Sequence, residues 1–291
     1  MAPLPCHRAH PSGTFAKPAT SDLWQPLGQP SPLAADEPNY WQEGRMEFSV
    51  RMPNLIKSPP ELDQFPMPLR SALHFLVALD VPEQGMSWGA PVLGAASEDR
   101  LTLVLDLDET LAHCRLEPLS APRHSFCVRF EESKATGYVY VRPFARLFLE
   151  IVSRLFEVVV FTASSQSYAD QVLNRLDPEG RFISTRLYRQ HCTEVCGSFL
   201  KDMCRLGRPL ERVVLVDNSP VSIVLCPDNG IIVSSWTAEG DDDRELMELL
   251  LLLQQCEVQT SVQDFLTRRY GIRAFFDTLR RRPELLGHED F

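Results

Sequence analysis

Two aspartates that stand two positions apart, Asp106 and Asp108, are the first candidates for chemistry. They follow an apolar run at 101–105 that predicts a strand buried on both faces. Because residues two apart point to the same side of an extended chain, the two carboxylates should lie close together. Such a pair is costly at the end of a buried strand unless a proton or a cation lies between its members. A hard divalent cation such as Mg²⁺ suits this arrangement.

An acidic strand end that merely starts a turn is the alternative interpretation, and the pair alone does not decide between the two. Polar residues at other predicted strand ends favour chemistry: Thr162 follows 158–161, Asp217 and Asn218 follow 212–216, and Lys201 lies in the turn before that strand. If the strands are parallel, all of these residues meet at one edge of the sheet. A nucleophile, an acid/base, a hydroxyl, a cation and an amide ligand are what phosphoryl transfer through a phosphoaspartate needs.

Strands alternate with helices along the chain, which predicts an α/β fold with a three-layer arrangement and a mostly parallel central sheet. Apolar runs at 126–130 and 138–141 flank a polar turn and predict an inserted β-hairpin. Pro143 is placed to start the next helix, and Ser164 is placed to cap the one after it. A helix at 244–254 is expected to cover the last strand, at 231–233.

Proline divides the chain into regions of different character. Fifteen of the 23 prolines lie in the first 91 residues, where they block regular helices and ladders. We therefore expect a proline-rich, largely disordered arm at 1–97, a catalytic domain at 98–257 and a C-terminal helical extension at 258–291 packed on it. Within the arm, 68–79 could form a short helix that docks on the domain, binds a partner or serves as a loosely attached linker.

Net charge and cysteine usage limit the function classes. A net charge of −10 disfavours a broad phosphate-backbone surface, so no direct nucleic-acid ligand is expected. The eight cysteines show no C-x-x-C pair and are expected to be reduced thiols of an intracellular protein. His191, Cys192 and Cys196 offer a poorly spaced alternative for zinc. No membrane span is expected, and a transit peptide at the start is a minor option.

Four motifs carry a specific resemblance. These are Asp106-Leu107-Asp108-Glu109-Thr110, Phe161-Thr162-Ala163-Ser164, Lys201-Asp202 and Val216-Asp217-Asn218-Ser219-Pro220. In order and spacing they resemble the haloacid dehalogenase superfamily, and among its members the small C-terminal-domain (CTD) phosphatase family. The chain is most similar to the CTD small phosphatase-like 2 subgroup, from about residue 101 to 256. The resemblance implies the Rossmann-like haloacid dehalogenase fold with its inserted β-hairpin.

The family then implies a role for each matching residue. Asp106 would be the nucleophile that forms an aspartyl phosphate, and Asp108 would be the general acid and base. Thr162 and Lys201 would hold the phosphoryl oxygens, and Thr110 would brace the loop and lie on the substrate side. Mg²⁺ would be bound by the Asp106 carboxylate, the Asp108 backbone carbonyl and the Asn218 side chain, with Asp217 acting through water. Tyr168 and Arg189 would contact substrate.

These roles imply a Mg²⁺-dependent protein serine/threonine phosphatase, monomeric and located in the nucleus, with the cytoplasm as an alternative. Its partner would be a phosphoserine or phosphothreonine protein, with the RNA polymerase II tail as one candidate. Ser165 departs from the family, whose members carry a bulkier apolar residue there, and this puts polymerase-tail specificity in doubt. A small-molecule phosphatase or phosphotransferase on the same fold, and a non-catalytic phosphopeptide-binding scaffold, remain as alternatives. The C-terminal stretch at 262–286 is expected to form an amphipathic helix.

Overall fold

The computed structural model describes residues 50–52, 54–55, 57, 67–78, 91–94, 100–120, 125–131, 133–195, 197–239 and 242–286. Ten strands are described: β1 (Thr102–Leu105), β2 (Ala112–Arg115), β3 (Phe126–Arg129), β4 (Thr136–Val141), β5 (Glu157–Phe161), β6 (Thr185–Leu187), β7 (Thr193–Val195), β8 (Ser198–Leu200), β9 (Val213–Asp217) and β10 (Gly230–Ile232). The α-helices are α1 (Met67–Ala78), α2 (Ala145–Leu155), α3 (Gln166–Leu176), α4 (Glu245–Glu257), α5 (Val262–Arg269) and α6 (Ile272–Arg281).

A five-stranded parallel sheet with the order β10-β9-β1-β5-β6 forms the centre of the protein. Every residue of β1, β9 and β10 is buried, and since successive side chains point to opposite faces, both faces of the sheet are covered. The leucines, valines and isoleucines of these strands suit such a position. The predicted α/β class with a mostly parallel central sheet is confirmed.

The insertion between β1 and α2 is larger than a hairpin. β3 and β4 pair as predicted, but β2 adds a third antiparallel strand and gives the order β2-β4-β3. The residues of β2 do alternate between apolar and polar side chains, but the run is only four residues long, and it was not predicted as a strand. Gly137 in β4 has no room for a side chain, because an added Cβ would lie 2.7 Å from the Cys114 sulfur.

Several helix ends differ from the predicted ones. α2 begins at Ala145 because Phe144 takes a left-handed conformation (φ 65°), so Pro143 precedes the helix instead of opening it. Ser165, not Ser164, stands at the N-cap of α3. The C-terminal stretch forms two helices, because Gly271 breaks it with a φ of 67°.

The segment upstream of the sheet packs on the C-terminal helices. Leu73 and Leu76 of α1 are fully buried, and α1 contacts α6. The Tyr270 hydroxyl donates to the Val50 carbonyl at 2.7 Å, and the Leu55 amide donates to the Tyr270 carbonyl at 2.8 Å. The helix considered at 68–79 is therefore present and docked. Residues 1–49 lie outside the described residues, and the boundaries of the arm, the domain and the extension stay predictions.

No helix among the described residues is both long and apolar enough to cross a bilayer.

The Glu157 carboxylate at the start of β5 gives the fold a pH-dependent contact. Arg208 binds it through both oxygens, at 2.8 and 2.7 Å, and the Thr102 hydroxyl donates to it at 2.8 Å. These contacts, the Arg208 hydrogen bond first, hold the pKa of Glu157 below its ordinary value of 4.5. A carboxyl with a depressed folded-state pKa stabilises the fold above its unfolded-state pKa, and this contribution is lost as pH falls through the folded-state value.

We expect the free energy of unfolding to fall more steeply with acid in the native chain than in Glu157→Gln over about pH 5 to 3. Urea unfolding at a series of pH values measures it, and Arg208→Gln should flatten the profile in the same window. Parallel profiles for all three proteins would contradict the assignment.

Candidate active site

The carboxyl ends of three adjacent strands bring the predicted site residues together. β5, β1 and β9 are neighbours, and Thr162, Asp106 and Asp217 stand at their ends. They open into a cavity of about 450 Å³. Its walls are formed by Asp106, Asp108, Glu109, Thr162, Ala163, Ser164, Arg189, Ser198, Phe199, Asp217, Asn218, Ser219, Val221 and Ser222.

Lys201 joins the two carboxylates that end β1 and β9. Its Nζ lies 2.6 Å from Asp106 Oδ1 and 2.6 Å from Asp217 Oδ2, and its side chain is 1% exposed. Burial alone would lower the pKa of Lys201, but the two carboxylates outweigh it and raise that pKa. Lys201 is therefore charged. It binds one oxygen of Asp106, and the Asp106 carboxylate lines the cavity.

Burial also acts on Asp106. It raises the pKa of this carboxyl above the ordinary value, and the neighbouring carboxylates Asp217 and Asp108 add to the rise, whereas Lys201 opposes it. A carboxylate that is poorly solvated and held by a single cation is more reactive than one surrounded by water. Asp106 therefore has the surroundings of a nucleophile.

Asp108 has different surroundings, made of hydroxyl groups. Tyr168 donates to its Oδ1 at 2.6 Å, and Ser164 donates to its Oδ2 at 2.7 Å. The Thr162 hydroxyl is farther away, at 3.4 Å, and accepts from the Ser164 amide at 3.0 Å. Burial raises the pKa of Asp108, and the Tyr168 and Ser164 hydrogen bonds lower it in part. Such a group can hold a proton and release it, as a general acid and base must.

The contacts of two residues with Asp108 were not predicted from the sequence. Tyr168 was expected to contact substrate, which stays a prediction, and its ring stacks on Phe130 of the segment after β3, with 5.5 Å between ring centroids. It thus ties the inserted sheet to Asp108. Ser164 was expected to cap α3 and instead contacts the carboxylate. The position of Ser164, three residues past a buried strand in the second motif, was the signal that could have found it.

A buried arginine holds the loop that carries the aspartates. Arg142 donates to both oxygens of Asp243 at 2.9 and 2.8 Å, to the Thr110 carbonyl at 3.2 Å, and to the Ser234 carbonyl and hydroxyl at 3.2 and 2.9 Å. The loop is further fixed by Glu109, whose φ is 59° and whose carbonyl accepts from the Trp236 amide at 2.9 Å. No role for Arg142 was predicted from the sequence.

Thr110 and Arg189 differ in their position relative to the cavity. The Thr110 side chain is fully buried and does not line the cavity, a placement that favours bracing the loop over contacting substrate. Arg189 lines the cavity, where its Nε donates to the Ala163 carbonyl at 2.7 Å and its guanidinium lies 5.0 Å from the Phe199 ring centroid. Its positive charge is thus fixed at the cavity edge.

The oxygen donors of the cavity fit a hard divalent cation. Asp106, Asp217 and Asn218 line it, and Asn218 donates its amide nitrogen to Ser235 Oγ at 2.8 Å, which leaves the amide oxygen to accept or coordinate. Both oxygens of Asp217 are engaged, one by Lys201 and one by the Ser219 amide at 2.8 Å. Asp217 is therefore placed to act from outside the first ligand shell. Carboxylate and amide oxygens are what Mg²⁺ prefers.

The zinc alternative at 191–196 finds little support. His191 Nδ1 accepts from the Tyr188 amide at 2.9 Å, and Cys196 lies outside the described residues.

Comparison with known proteins identifies a phosphatase family and several relatives that are named as phosphatases. A model of the NLI interacting factor-like phosphatase family matches residues 101–266. "CTD small phosphatase-like protein 2" of Dictyostelium discoideum is 45% identical over 168 residues, which cover 58% of this chain and 29% of that protein. "Probable C-terminal domain small phosphatase" of the same organism is 47% identical over 152 residues, 52% of this chain and 49% of that protein.

A human relative is covered more fully. "Carboxy-terminal domain RNA polymerase II polypeptide A small phosphatase 1" of Homo sapiens is 38% identical over 192 residues, 65% of this chain and 73% of that protein. The chain thus spans less than half of the first two relatives. Among solved structures, "The Structure of Fcp1, an essential RNA polymerase II CTD phosphatase" is 21% identical with a TM-score of 0.41, covering 62% of each chain.

The Arg142 contacts generate a stability prediction. Arg142→Met leaves Asp243 and two carbonyls without their donor, and we expect a loss of about 3–5 kcal/mol in the free energy of unfolding. Denaturant unfolding measures it. Arg154→Met, which removes an exposed partner of Glu150, should cost about 0.5 kcal/mol or less. Equal losses for the two variants would show that Arg142 holds nothing in place.

The Tyr168 hydroxyl generates a second prediction. Because its hydrogen bond favours the ionised carboxylate, Tyr168→Phe should raise the pKa of Asp108 further. Carbon-detected NMR titration of the aspartate carboxyls, in metal-free protein, follows the change. Tyr188→Phe is the matched control, since that hydroxyl donates to Asp170 at 2.8 Å. An unchanged or lower pKa at Asp108 in Tyr168→Phe would refute the assignment.

Proposed function

Because the chain belongs to the NLI interacting factor-like phosphatase family, we propose that it is a Mg²⁺-dependent protein serine/threonine phosphatase acting through an aspartyl phosphate. The observation that carries the proposal is the contrast between the two carboxylates of the first motif. Asp106 is held by the ammonium of Lys201, whereas Asp108 is surrounded by hydroxyl donors. The nucleophile must be ionised, and Lys201 favours that form of Asp106; the acid must hold a proton, and burial raises the pKa of Asp108 for that role while the hydroxyls hold the carboxyl in position.

In the first half-reaction the free oxygen of Asp106 attacks phosphorus, and the bond between phosphorus and the serine or threonine oxygen breaks. Asp108 gives its proton to the departing oxygen, which leaves as a neutral hydroxyl. Lys201 keeps the Asp106 carboxylate oriented. Lys201 and Thr162 bind the phosphoryl oxygens through hydrogen bonds. Arg189, at the cavity edge, is placed for the polypeptide around the phosphorylated residue.

In the second half-reaction water attacks the phosphorus of the aspartyl phosphate. The Asp108 carboxylate takes a proton from the water, the bond between Asp106 and phosphorus breaks, and inorganic phosphate leaves. The Asp106 carboxylate, the Asp108 carbonyl and the Asn218 side chain, with Asp217 behind them, would hold Mg²⁺, which would supply positive charge to neutralise the phosphoryl oxygens. The Ser164 and Tyr168 hydroxyls stay bonded to Asp108 and keep it aimed through both steps.

The relatives and the cavity support a phosphoprotein substrate. One relative is named for the RNA polymerase II carboxy-terminal domain, so that tail is a candidate substrate, and the nucleus is the corresponding location. Ser165 is exposed at the N-cap of α3 and offers a polar contact instead of an apolar one. Other phosphoserine and phosphothreonine proteins are therefore candidate substrates too. The proposal takes the chain to act as a monomer.

Phosphate release from a panel of phosphopeptides and phosphosugars tests the proposal. We expect turnover of phosphoserine and phosphothreonine peptides with Mg²⁺, loss with EDTA, and at least about a thousandfold lower kcat in Asp106→Asn. Asp264→Asn, the same substitution on α5, should retain activity. Activity confined to phosphosugars would move the function to the small-molecule class. Phosphopeptide binding without turnover in the unaltered chain would leave only the scaffold.

A further inference from the structure

A second cluster of ionisable side chains lies next to the active site but takes no part in it. The donor atoms of Asp202, Cys204 and Cys226 all lie within 4.8 Å of one another. Asp202 follows Lys201 directly in sequence. Cys226 follows the cavity-lining residues between 217 and 222 a few positions later in the chain. The two thiols are 22 positions apart, so no sequence spacing reveals them as a pair.

We propose that Asp202, Cys204 and Cys226 form a binding site for a thiophilic divalent cation, with zinc as the ion that fits best. Two thiolates and a carboxylate are zinc ligands, whereas Mg²⁺ takes oxygen donors only. In a tetrahedral site with Zn–S near 2.3 Å and Zn–O near 2.1 Å, the donors stand roughly 3.5–3.8 Å apart. The three donor atoms, which lie within 4.8 Å of one another, can reach that spacing through small movements of their side chains.

The backbone around the cluster holds the three donors in place. The Cys204 amide donates to Asp202 Oδ1 at 2.9 Å, as the cap of the 3₁₀ turn Met203–Leu206. On the other side, the Cys226 amide donates to the Ile223 carbonyl at 3.0 Å, and its own carbonyl accepts from the Asn229 amide at 3.0 Å. Preorganised donors lose less entropy when an ion binds, so these contacts favour binding over collapse of the cluster.

The three side chains of the proposed site differ in their exposure to solvent. The Cys226 side chain is fully buried and Asp202 is nearly so, whereas Cys204 is partly exposed. An ion can therefore enter past Cys204 and be held in a poorly solvated environment. Three protein ligands leave a fourth tetrahedral position on the entrance side for water.

The site would connect two segments of the active site. Asp202 and Cys204 belong to the segment that carries Lys201, and Cys226 belongs to the segment after Asn218. The Lys201 amide already donates to the Ser222 carbonyl at 3.3 Å across the same boundary. A bound ion would add a stronger link there, and because the folded chain brings the three donors together and so binds the ion more tightly than the unfolded chain, it would raise the Tm.

Metal analysis of the purified full-length chain is the first experiment. We expect about one zinc per chain after dialysis against zinc-free buffer, and a lower Tm once a chelator removes it. Cys204→Ser should weaken zinc binding by at least about a hundredfold. This variant is suited to the test because Cys204 is partly exposed and serine fits its place. Cys114→Ser, at another partly exposed thiol, should bind zinc as the unaltered chain does.

Cobalt distinguishes this site from the oxygen-donor site in the active-site cavity. Co²⁺ bound by thiolates gives a sulfur-to-metal charge-transfer band, which oxygen ligands cannot give. We expect this band in the unaltered chain and in Asp106→Asn, and its loss in Cys204→Ser. A band that survives in Cys204→Ser but disappears in Cys192→Ser would overturn the assignment. Absence of zinc and of the band would overturn it too, as would a Cys204–Cys226 disulfide, identified as a linked pair of peptides in a digest of the unreduced protein.

Discussion

The buried ammonium of Lys201 is the contact on which the arrangement of the site depends. It lies between the carboxylates that end two adjacent parallel strands, at 2.6 Å from each. Without a cation, two acids at the ends of β1 and β9 would repel each other in a poorly solvated place. With it, the strands can end in charged residues while their preceding apolar residues stay in register. The cost of burying the charges is offset only because all three groups are paired.

The loop after Asp106 shows how the surrounding structure turns that contact into a defined site. Glu109 adopts a left-handed conformation that a non-glycine residue takes only at a cost, and Arg142 and Trp236 hold the neighbouring backbone in place. Asp106 contacts the Lys201 ammonium, whereas Asp108 contacts Ser164 and Tyr168. Two aspartates of identical chemistry, two positions apart, thus receive different hydrogen-bond partners, and the turn at Glu109 that follows them is held by the rest of the domain.

Strand ends were predictable from the sequence because burial on both faces leaves an unmistakable pattern. The apolar runs before Asp106, Thr162 and Asp217 predicted three buried strands of a mostly parallel sheet, and their polar ends were predicted to meet at one edge; the structure makes the three strands neighbours. The roles of Ser164, Tyr168 and Arg142 depend instead on side-chain directions and on contacts between distant segments. No local pattern encodes such contacts. β2 was missed because its alternation spans only four residues, and α2 began later than Pro143 suggested because Phe144 takes a left-handed turn.

The docking of the upstream segment onto the C-terminal helices has a consequence for how the chain is made. Tyr270 and Val50, joined by a hydrogen bond, are 220 positions apart. A ribosome adds about 5–20 residues per second, so the residues around Val50 and α1 emerge about 10–45 s before Tyr270 and α6 exist. During that time Leu73 and Leu76, which end fully buried, have no C-terminal helix to cover them. The nascent chain therefore exposes this apolar segment for most of its synthesis, and exposed apolar segments are what chaperones bind.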